Sequence, residues 1–379
     1  MNDLQTLKTP CLILDVERVR KNAARVSRIA LKNNVRLRPH IKTHKCVEVA
    51  RIQTAAHNDD GGAGAVTTST LAEVWAFAQN GFSDFTYAVP IERGKFAEAI
   101  EIVKSGAKLN VITDDAETPP ALNEAARAAS VKLDVLLKVD CGYHRCGVEP
   151  HVEEAVSIPR AIAETSNLNF AGILTHAGHS YHARSVEELA AIARQERDSM
   201  VGLAEKLRSS GIEVPTVSIG STPTITRADH LRGVTEIRPG NYIFFDAFQA
   251  TLGSCGFADC ALTVLAAVTH RDRARRKIVV DAGAIALSKD RGPVEFDSNC
   301  GYGRVLDLEG RELDMRVESL SQEHGVFHAP DEETFERLKV GSRVRILANH
   351  SCLSAAQHAD FHVLENGKIT DKWAIHRGW

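Results

Sequence analysis

The sequence predicts an α/β protein in two parts, a (β/α)8 barrel over residues 1–250 and a mainly-β domain over residues 251–379. Three observations carry this. Short β-rich runs alternate with Ala/Glu/Lys/Arg-rich runs eight or nine times in the first two thirds of the chain. After about residue 250 that rhythm gives way to closely spaced strands with little helix. Polar or glycine-rich clusters also fall at the ends of five early strands, where barrel enzymes keep their chemistry. A doubly wound open sheet is the runner-up, because periodicity alone does not separate the two.

The predicted strands of the first part are LILD (12–15), VRLRPH (35–40), AGAVTT (63–68), DFTYAV (84–89), LNVIT (109–113), LDVLLKVD (133–140), LNFAGILTH (168–176), TVSIG (216–220) and TEIRP (235–239). Between them, STLAEVWAFAQNG opens on a capping residue and stops at Gly81, and the segment 185–211 does the same at greater length. In the second part, ALTVLAAVTH, RKIVVDAG, DMRVESLS, SRVRILAN and FHVLENGKITDKWAIH read as strands, and ENGK is a hairpin signal. The extreme N-terminus is a candidate member of this β domain.

Bulk properties exclude several classes of function. The 379 residues carry a net charge of −3 and a pI near 6.6, so no global basic field favours nucleic acid or an anionic membrane. The basic run HRDRARRK (270–277) reads as a solvated turn. No apolar stretch approaches the roughly 20 residues of a membrane span, and MNDLQTLKTP lacks the regions of a signal peptide. The chain is therefore predicted to be cytoplasmic. Its eight scattered cysteines, with no CxxC, read as ordinary thiols.

The stretch RPHIKTHKC (38–46) places two lysines and two histidines just after the apolar-alternating run VRL. SIGSTPT (218–224) and RPGNY (238–242) offer glycine, hydroxyl and amide groups just past a strand, which suits an anion held by backbone N–H groups. Two such loops late in a barrel match the usual phosphate site; a pair of ordinary tight turns is the alternative. Neither a Walker motif nor GxGxxG is present, so a nucleotide is not the obvious owner. A phosphate site with a lysine at an early strand end points to pyridoxal phosphate, which needs a Schiff-base lysine. Lys42 and Lys45 are the candidates; Lys42 lies nearer the strand end, and Lys45 is expected to begin a helix, exposed. Farther on, His350 and Cys352 in HSC would share a face if the preceding strand continued, and imidazole plus thiolate suits zinc. A packed histidine beside a buried thiol is the plainer reading of that pair.

In chain order, TPCLILD, RPHIKTHK, DCGYHRCGV, LTHAGHSY, SIGSTPT, TEIRPGNYIFFD, VDAG, SQEHG and NHSC resemble the fold-type III pyridoxal-phosphate enzymes with an alanine-racemase-like N-terminal barrel. Within them the chain is most similar to the D-serine dehydratase / D-threonine aldolase branch, and there to bacterial 3-hydroxy-D-aspartate and D-serine dehydratases. The resemblance implies roles. Lys42 would be the Schiff-base residue, leaving Lys45 and His44 at the periphery or the surface. Arg145 would bond the phenolic oxygen of the cofactor, His176 would lie against its ring, and Tyr181 would approach the ring nitrogen. Ser221, Thr222, Gly240 and Asn241 would hold the phosphate, with Tyr242 close by. His350 and Cys352 would hold a divalent metal, either zinc or manganese, magnesium or cobalt.

The branch runs two reactions on β-hydroxy D-amino acids. A dehydratase expels the β-hydroxyl with metal assistance and yields a keto acid and ammonia. An aldolase cleaves Cα–Cβ and yields glycine and an aldehyde. Aldolases of the branch tend to carry H-C-D at the metal and dehydratases H-x-C, so His350-Ser351-Cys352 favours a dehydratase of D-serine, D-threonine or D-threo-3-hydroxyaspartate. For a β-carboxylate substrate, Arg291 is the spare cation. A racemase, with Tyr302 as second base, and a non-enzymatic cofactor carrier are the other readings. The resemblance also implies a homodimer, a small D-amino acid as substrate, and no nucleic-acid or membrane partner. His144 and His179 read equally as plain loop residues or as part of the site, and Asp281 in VDAG reads as structural. Gln322, Glu323 and His324 precede a glycine as a turn would, while the resemblance implies that they face the active site.

Overall fold

The computed structural model describes residues 3–56 and 63–379. Two compact units divide the chain. One holds residues 24–42, 50–240 and 377–379, and the other residues 1–23, 43–49 and 241–376. Strand β1 (Cys11–Asp15) belongs to the second of these.

The first unit is a parallel barrel. Its strands are β2 (Arg36–Leu37), β3 (Val66–Thr68), β4 (Asp84–Pro90), β5 (Lys108–Thr113), β6 (Leu133–Val139), β7 (Leu168–Thr175), β8 (Thr216–Ile219) and β9 (Glu236–Ile237). They hydrogen-bond in the order β2-β9-β8-β7-β6-β5-β4-β3. A parallel bridge between His40 and Thr67 joins the β2 segment to β3 and closes the ring. The strands are rich in Val, Ile and Leu because both faces are covered.

Helices α1 (Val16–Asn33), α2 (Val47–Ala55), α3 (Leu71–Ala78), α4 (Phe96–Lys104), α5 (Thr118–Ala128), α6 (Glu154–Ala163), α7 (Val186–Ser209) and α8 (Thr222–Arg227) alternate with these strands. Their starts follow local chemistry. Thr70 accepts the Glu73 N–H at 3.0 Å to open α3, and Ser185 accepts the Glu188 N–H at 3.1 Å to open α7. Among the described residues, no helix is long and apolar enough to cross a membrane.

The barrel interior contains charge. Arg38, 3% exposed, bonds Asp84 through Nη1 at 2.7 Å and Glu236 through Nε at 2.7 Å. The Ser218 hydroxyl donates to Glu236 at 2.7 Å and in turn accepts Arg238 Nε at 2.8 Å. Arg238 then donates to the Thr175 carbonyl at the end of β7. Residues 236 and 238 lie two apart and share a face of the strand. An ionic chain therefore runs through the interior towards the strand ends. Burial pulls Arg238 down to about 10, partly offset by Glu236 and Glu196, so it stays charged at neutral pH.

The second unit is built on a mostly antiparallel sheet. Its strands are β1, β10 (Leu262–Asp272), β11 (Lys277–Val280), β12 (Gly303–Leu306), β13 (Glu312–Arg316), β14 (Ser319–Leu320), β15 (Gly325–His328), β16 (Arg343–Ala348), β17 (Asp360–Glu365) and β18 (Lys368–Ala374). The main path is β13-β12-β16-β10-β1-β17-β18; β11 extends β10, and β15 and β14 follow it. Short helices α9 (Ala247–Thr251), α10 (Ala284–Leu287), α11 (Glu332–Arg337) and α12 (Ser351–Gln357) interrupt the strands. ENGK forms the β17–β18 hairpin, with Asn366 and Gly367 at φ 49° and 73°, as a two-residue primed turn requires.

The LILD strand does not join the barrel. It pairs antiparallel with β10 and parallel with β17 in the second unit's sheet. Its run of buried apolar residues satisfies either sheet, which is why the sequence pattern does not choose between them.

The ionic chain generates a stability prediction. Arg38→Ala strands Glu236 as a buried charge and should cost about 3–5 kcal/mol in urea unfolding. A loss below about 1 kcal/mol would mean that the chain is not tightly coupled.

Candidate active site

The polar groups of the barrel unit gather at the C-terminal strand ends. The chain leaves β2, passes His40, and enters a 3-10 turn at Ile41–Thr43 that carries Lys42 with its side chain exposed. The Lys42 N–H lies 3.5 Å from His40 Nδ1. His176 directly follows β7 and is flanked by Tyr143 and Tyr181, with ring centroids 6.0 and 6.5 Å away. Tyr143 packs over Gly178, where an added Cβ would lie 2.3 Å from the ring; this explains the glycine in LTHAGHSY. Arg145 is exposed, with its guanidinium 5.2 Å above the Tyr143 ring. The loop that presents it is tied by Asp140, whose Oδ1 accepts the N–H groups of Gly142, Tyr143 and His144 at 2.9–3.1 Å.

Electrostatics set the protonation here. Burial, then Lys42, Lys138, Arg145 and Arg238, holds His176 well below the usual imidazole value. Burial, then Lys42, Arg238 and His176, does the same to His40. Both imidazoles are neutral at neutral pH. Burial also draws Lys138 below its ordinary value. Four cationic side chains thus act on one imidazole, a field that suits an anionic ligand.

The predicted phosphate loop follows β8. Ser221 caps α8, exchanging hydrogen bonds with Thr224, and its hydroxyl lies 3.0 Å from that of Ser180. Thr222 is buried beside it in sequence. Gly240 ends the barrel unit; Asn241 and Tyr242, both buried, begin the next segment of the other unit.

Glu196 on α7 is a residue the sequence reading missed. It is fully buried, and its Oε1 accepts the N–H of Ala177 at 3.2 Å and of Gly220 at 3.0 Å. It thereby ties the segment after His176 to the segment before Ser221. The sequence held only a Glu in a helical run as a signal.

In the second unit, His350 and Cys352 lie together. The strand does not continue through HSC as expected. β16 stops at Ala348, His350 is the residue before α12, and Ser351 starts the helix. The cause is Asp246, whose Oδ2 accepts the Ser351 N–H at 3.0 Å and its hydroxyl at 3.2 Å. The same oxygen accepts Asn241 Nδ2 at 2.6 Å, and that amide also reaches Cys352 Sγ at 3.5 Å. Thr43, the residue after Lys42 in sequence, lies 3.3 Å from Cys352 Sγ through its hydroxyl. His350 Nδ1 is 2.6 Å from Asp290 Oδ2.

Burial opposes ionisation of Cys352, but His350 and the Thr43 hydroxyl outweigh it and hold the thiol below its usual value. Burial likewise opposes protonation of His350, and Cys352, Asp290 and Asp246 outweigh that, raising it well above the usual value. Each side chain thus favours the charged form of the other, and a divalent cation in place of the proton would meet the same demand. An N and S donor set suits zinc. Among the described residues, no cluster of three or more ligating side chains accompanies the pair.

The remaining candidates divide. Lys45 does not begin the helix as expected: φ 48° takes it out of the helical region, α2 starts at Val47, and the side chain is half-buried, while His44 is fully buried edge-on to Phe244. Asp281 accepts the Ala267 N–H and the Thr9 hydroxyl at 2.7 and 2.6 Å, a structural brace. His144 is exposed and paired with Asp140 at 3.1 Å. Gln322, Glu323 and His324 form an exposed turn before β15. Tyr302 lies under the Arg291 guanidinium at 5.8 Å.

A parallel barrel that sets a lysine, neutral imidazoles and a phosphate-type loop at its strand ends is the architecture of the alanine-racemase class. The chain belongs to the alanine racemase N-terminal domain family, whose model matches residues 14–247; residues 261–364 match a putative serine dehydratase domain. Membership of this family implies pyridoxal phosphate.

Over 99% of both chains, the sequence is 37% identical to D-threo-3-hydroxyaspartate dehydratase of Delftia sp. (strain HT23). The structure of that enzyme superposes with a TM-score of 0.95 over all of both chains, at 36% identity. A cysteine-to-alanine variant of it, in the metal-free form, gives a TM-score of 0.94. The D-serine dehydratase of Dictyostelium discoideum is 33% identical over all of this chain and 99% of its own. A 3-hydroxy-D-aspartate aldolase of Paracoccus denitrificans is 29% identical over 98% of this chain and 92% of its own.

Proposed function

We propose that this protein is a pyridoxal-phosphate- and divalent-metal-dependent dehydratase of β-hydroxy D-amino acids, yielding a 2-keto acid and ammonia. The observation that carries the reading is the His350–Cys352 pair, joined through Cys352 Sγ to the hydroxyl of Thr43, the residue that follows Lys42. The full-length similarity to two dehydratases supports it. Bound pyridoxal phosphate supplies an electron sink for the Cα carbanion, and a bound divalent ion supplies a Lewis acid for the β-hydroxyl.

The chain's own groups do the rest. Lys42 would hold the cofactor, and its amine would serve as the base for the Cα proton. Neutral His176 would lie against the ring without adding charge to it. Arg145 would donate to the phenolic oxygen and favour its anionic form. Tyr181 would offer the ring nitrogen a neutral partner, so more of the work would fall to the metal. Ser221, Thr222, Gly240 and Asn241 hold the phosphate, with Tyr242 beside them. His350 and Cys352 hold the metal ion, with zinc favoured by the thiolate. Hydroxide leaves and takes up a proton as water; the released enamine then takes up one water to give keto acid and ammonia.

Arg291 is the group proposed to answer a second carboxylate on the substrate. Its Nε is buried without a hydrogen-bond partner, and among the described residues no carboxylate pairs with it. The aldolase relative keeps retro-aldol cleavage as the second reading. We further infer a homodimer, because Ile285, Val294 and Leu353 leave large apolar side chains exposed on the second unit. We place the protein in the cytoplasm, where its eight free thiols suit a reducing medium.

Product analysis tests the main reading. The purified protein with pyridoxal phosphate and a divalent ion should convert D-threo-3-hydroxyaspartate or D-serine to equimolar keto acid and ammonia. Glycine with an aldehyde would establish the aldolase instead. A clear preference for D-serine would remove the role given to Arg291.

Two variants separate the functions. Lys42→Ala should lose the visible absorbance of the lysine-bound cofactor. Cys352→Ala should keep that absorbance, lose metal, and lose most turnover. Full activity after exhaustive chelation would defeat the metal reading. Sedimentation of the holoenzyme should give a dimer, and a fully active monomer would contradict the inference.

A further inference from the structure

We propose that Asp290 is a positioning residue for the metal site: it accepts a hydrogen bond from the Nδ1–H of His350 and so aims Nε2 at the ion, without being a ligand itself. The inference rests on the reading of His350 and Cys352 as metal ligands. No motif in the sequence assigned Asp290, which sits in SKDRG sixty positions before its partner.

The geometry is specific. His350 lies between a strand and a helix, at φ −133° and ψ 102°, so no regular ladder orients its side chain. Its Nδ1 is 2.6 Å from Asp290 Oδ2. An imidazole has two nitrogens, and a carboxylate acceptor on one fixes the tautomer that leaves the other free as a lone-pair donor. Asp246 settles the backbone between the two ligands, through Ser351, but its bonds do not reach the His350 ring. The orientation of that ring is therefore assigned to Asp290.

Asp290 is itself braced. Its N–H donates to Ser288 Oγ at 3.1 Å, and Ser288 holds φ 68°. The Asn349 amide, one residue before His350, reaches the Asp290 carbonyl at 3.4 Å and the Gly301 carbonyl at 2.9 Å. From α12, Ser354 Oγ donates to the Leu287 carbonyl at 2.9 Å, and His358 Nε2 lies 3.1 Å from the Ala286 carbonyl. The loop after α10 and the start of α12 are thus fastened on both sides of the Asp290–His350 bond. A carboxylate so held is already committed to the imidazole, which argues for an outer role over a ligating one.

The test is equilibrium dialysis of zinc against the pyridoxal-phosphate-loaded protein after removal of metal by chelation. Asp290→Ala should weaken zinc binding by about 10–100-fold, with the visible cofactor absorbance unchanged. Asp290→Asn keeps an oxygen that accepts the Nδ1 proton and should bind zinc within about threefold of the parent, whereas loss of a true carboxylate ligand would make Asn as poor as Ala. Zinc affinity within twofold of the parent in Asp290→Ala, or an Asn variant as weak as Ala, overturns the proposal. Should the Ala variant fail to fold, the Asn variant decides alone, and a loss beyond tenfold there overturns it. Failure of the metal reading looks different: the parent itself takes up no stoichiometric zinc, or Cys352→Ala binds it as tightly, and the proposal falls with it.

Discussion

A buried guanidinium must be answered by oxygen atoms on every side, and in the barrel unit that demand organises the site. Arg238 is 4% exposed and reaches Ser218 and the carbonyl of Thr175, the residue before His176. Below it Glu236, Arg38 and Asp84 complete the chain. A buried ionic chain is weak evidence for net stability, since desolvation consumes most of the attraction. Its clearer effect is on the strand ends. Burial is the main reason that His40 and His176 stay uncharged, and Arg238 adds to it with Lys42 at both and with Lys138 and Arg145 at His176. A site of this kind attracts a phosphate-bearing ligand while offering its aromatic ring a neutral neighbour.

The second unit uses the opposite sign. Asp246 gathers Asn241 and Ser351 around one carboxylate oxygen, and Asp290 engages His350. In the proposed metal site, both carboxylates would stand behind the nitrogen and sulfur atoms offered to the cation. Anionic groups so placed raise the basicity of an imidazole without occupying coordination positions. Neither carboxylate is near the H-x-C motif in sequence: Asp246 lies 104 positions before His350 and Asp290 lies 60 before it.

Much of this was legible in the sequence. The alternation of apolar runs and capped helices identified the parallel barrel, and ENGK identified the last hairpin. The ordered motifs pointed to the family that the comparisons establish. What was not legible depends on pairing across long separations. LILD is equally apolar whichever sheet receives it. Arg38, Glu236 and Arg238 looked like charges near strand ends, and nothing local says that they face one another inside a ring. Strands β2 and β9 are two residues long where five or six were expected, because the chain turns into 3-10 segments at Ile41 and Asn241. Glu196, Thr43, Asp246 and Asp290 act through hydrogen bonds to residues that no spacing rule connects to them. The helical start at Ser351 was hidden for the same reason, since its cause is Asp246.

The placement of β1 has a consequence for how the chain acquires its structure. This strand precedes every barrel strand, yet its neighbours, Leu262–Leu265 and Phe361–Leu364, come some 250 and 350 positions later. During synthesis it waits as an unpaired apolar edge while the whole barrel emerges, a long-range pairing of the kind that slows folding and exposes a nascent chain to aggregation. A fragment that starts at residue 251 would lack the strand that separates β10 from β17, and so could not close its own sheet. The second unit's sheet is therefore complete only after β17 has been made, whereas the last barrel strand ends at Ile237.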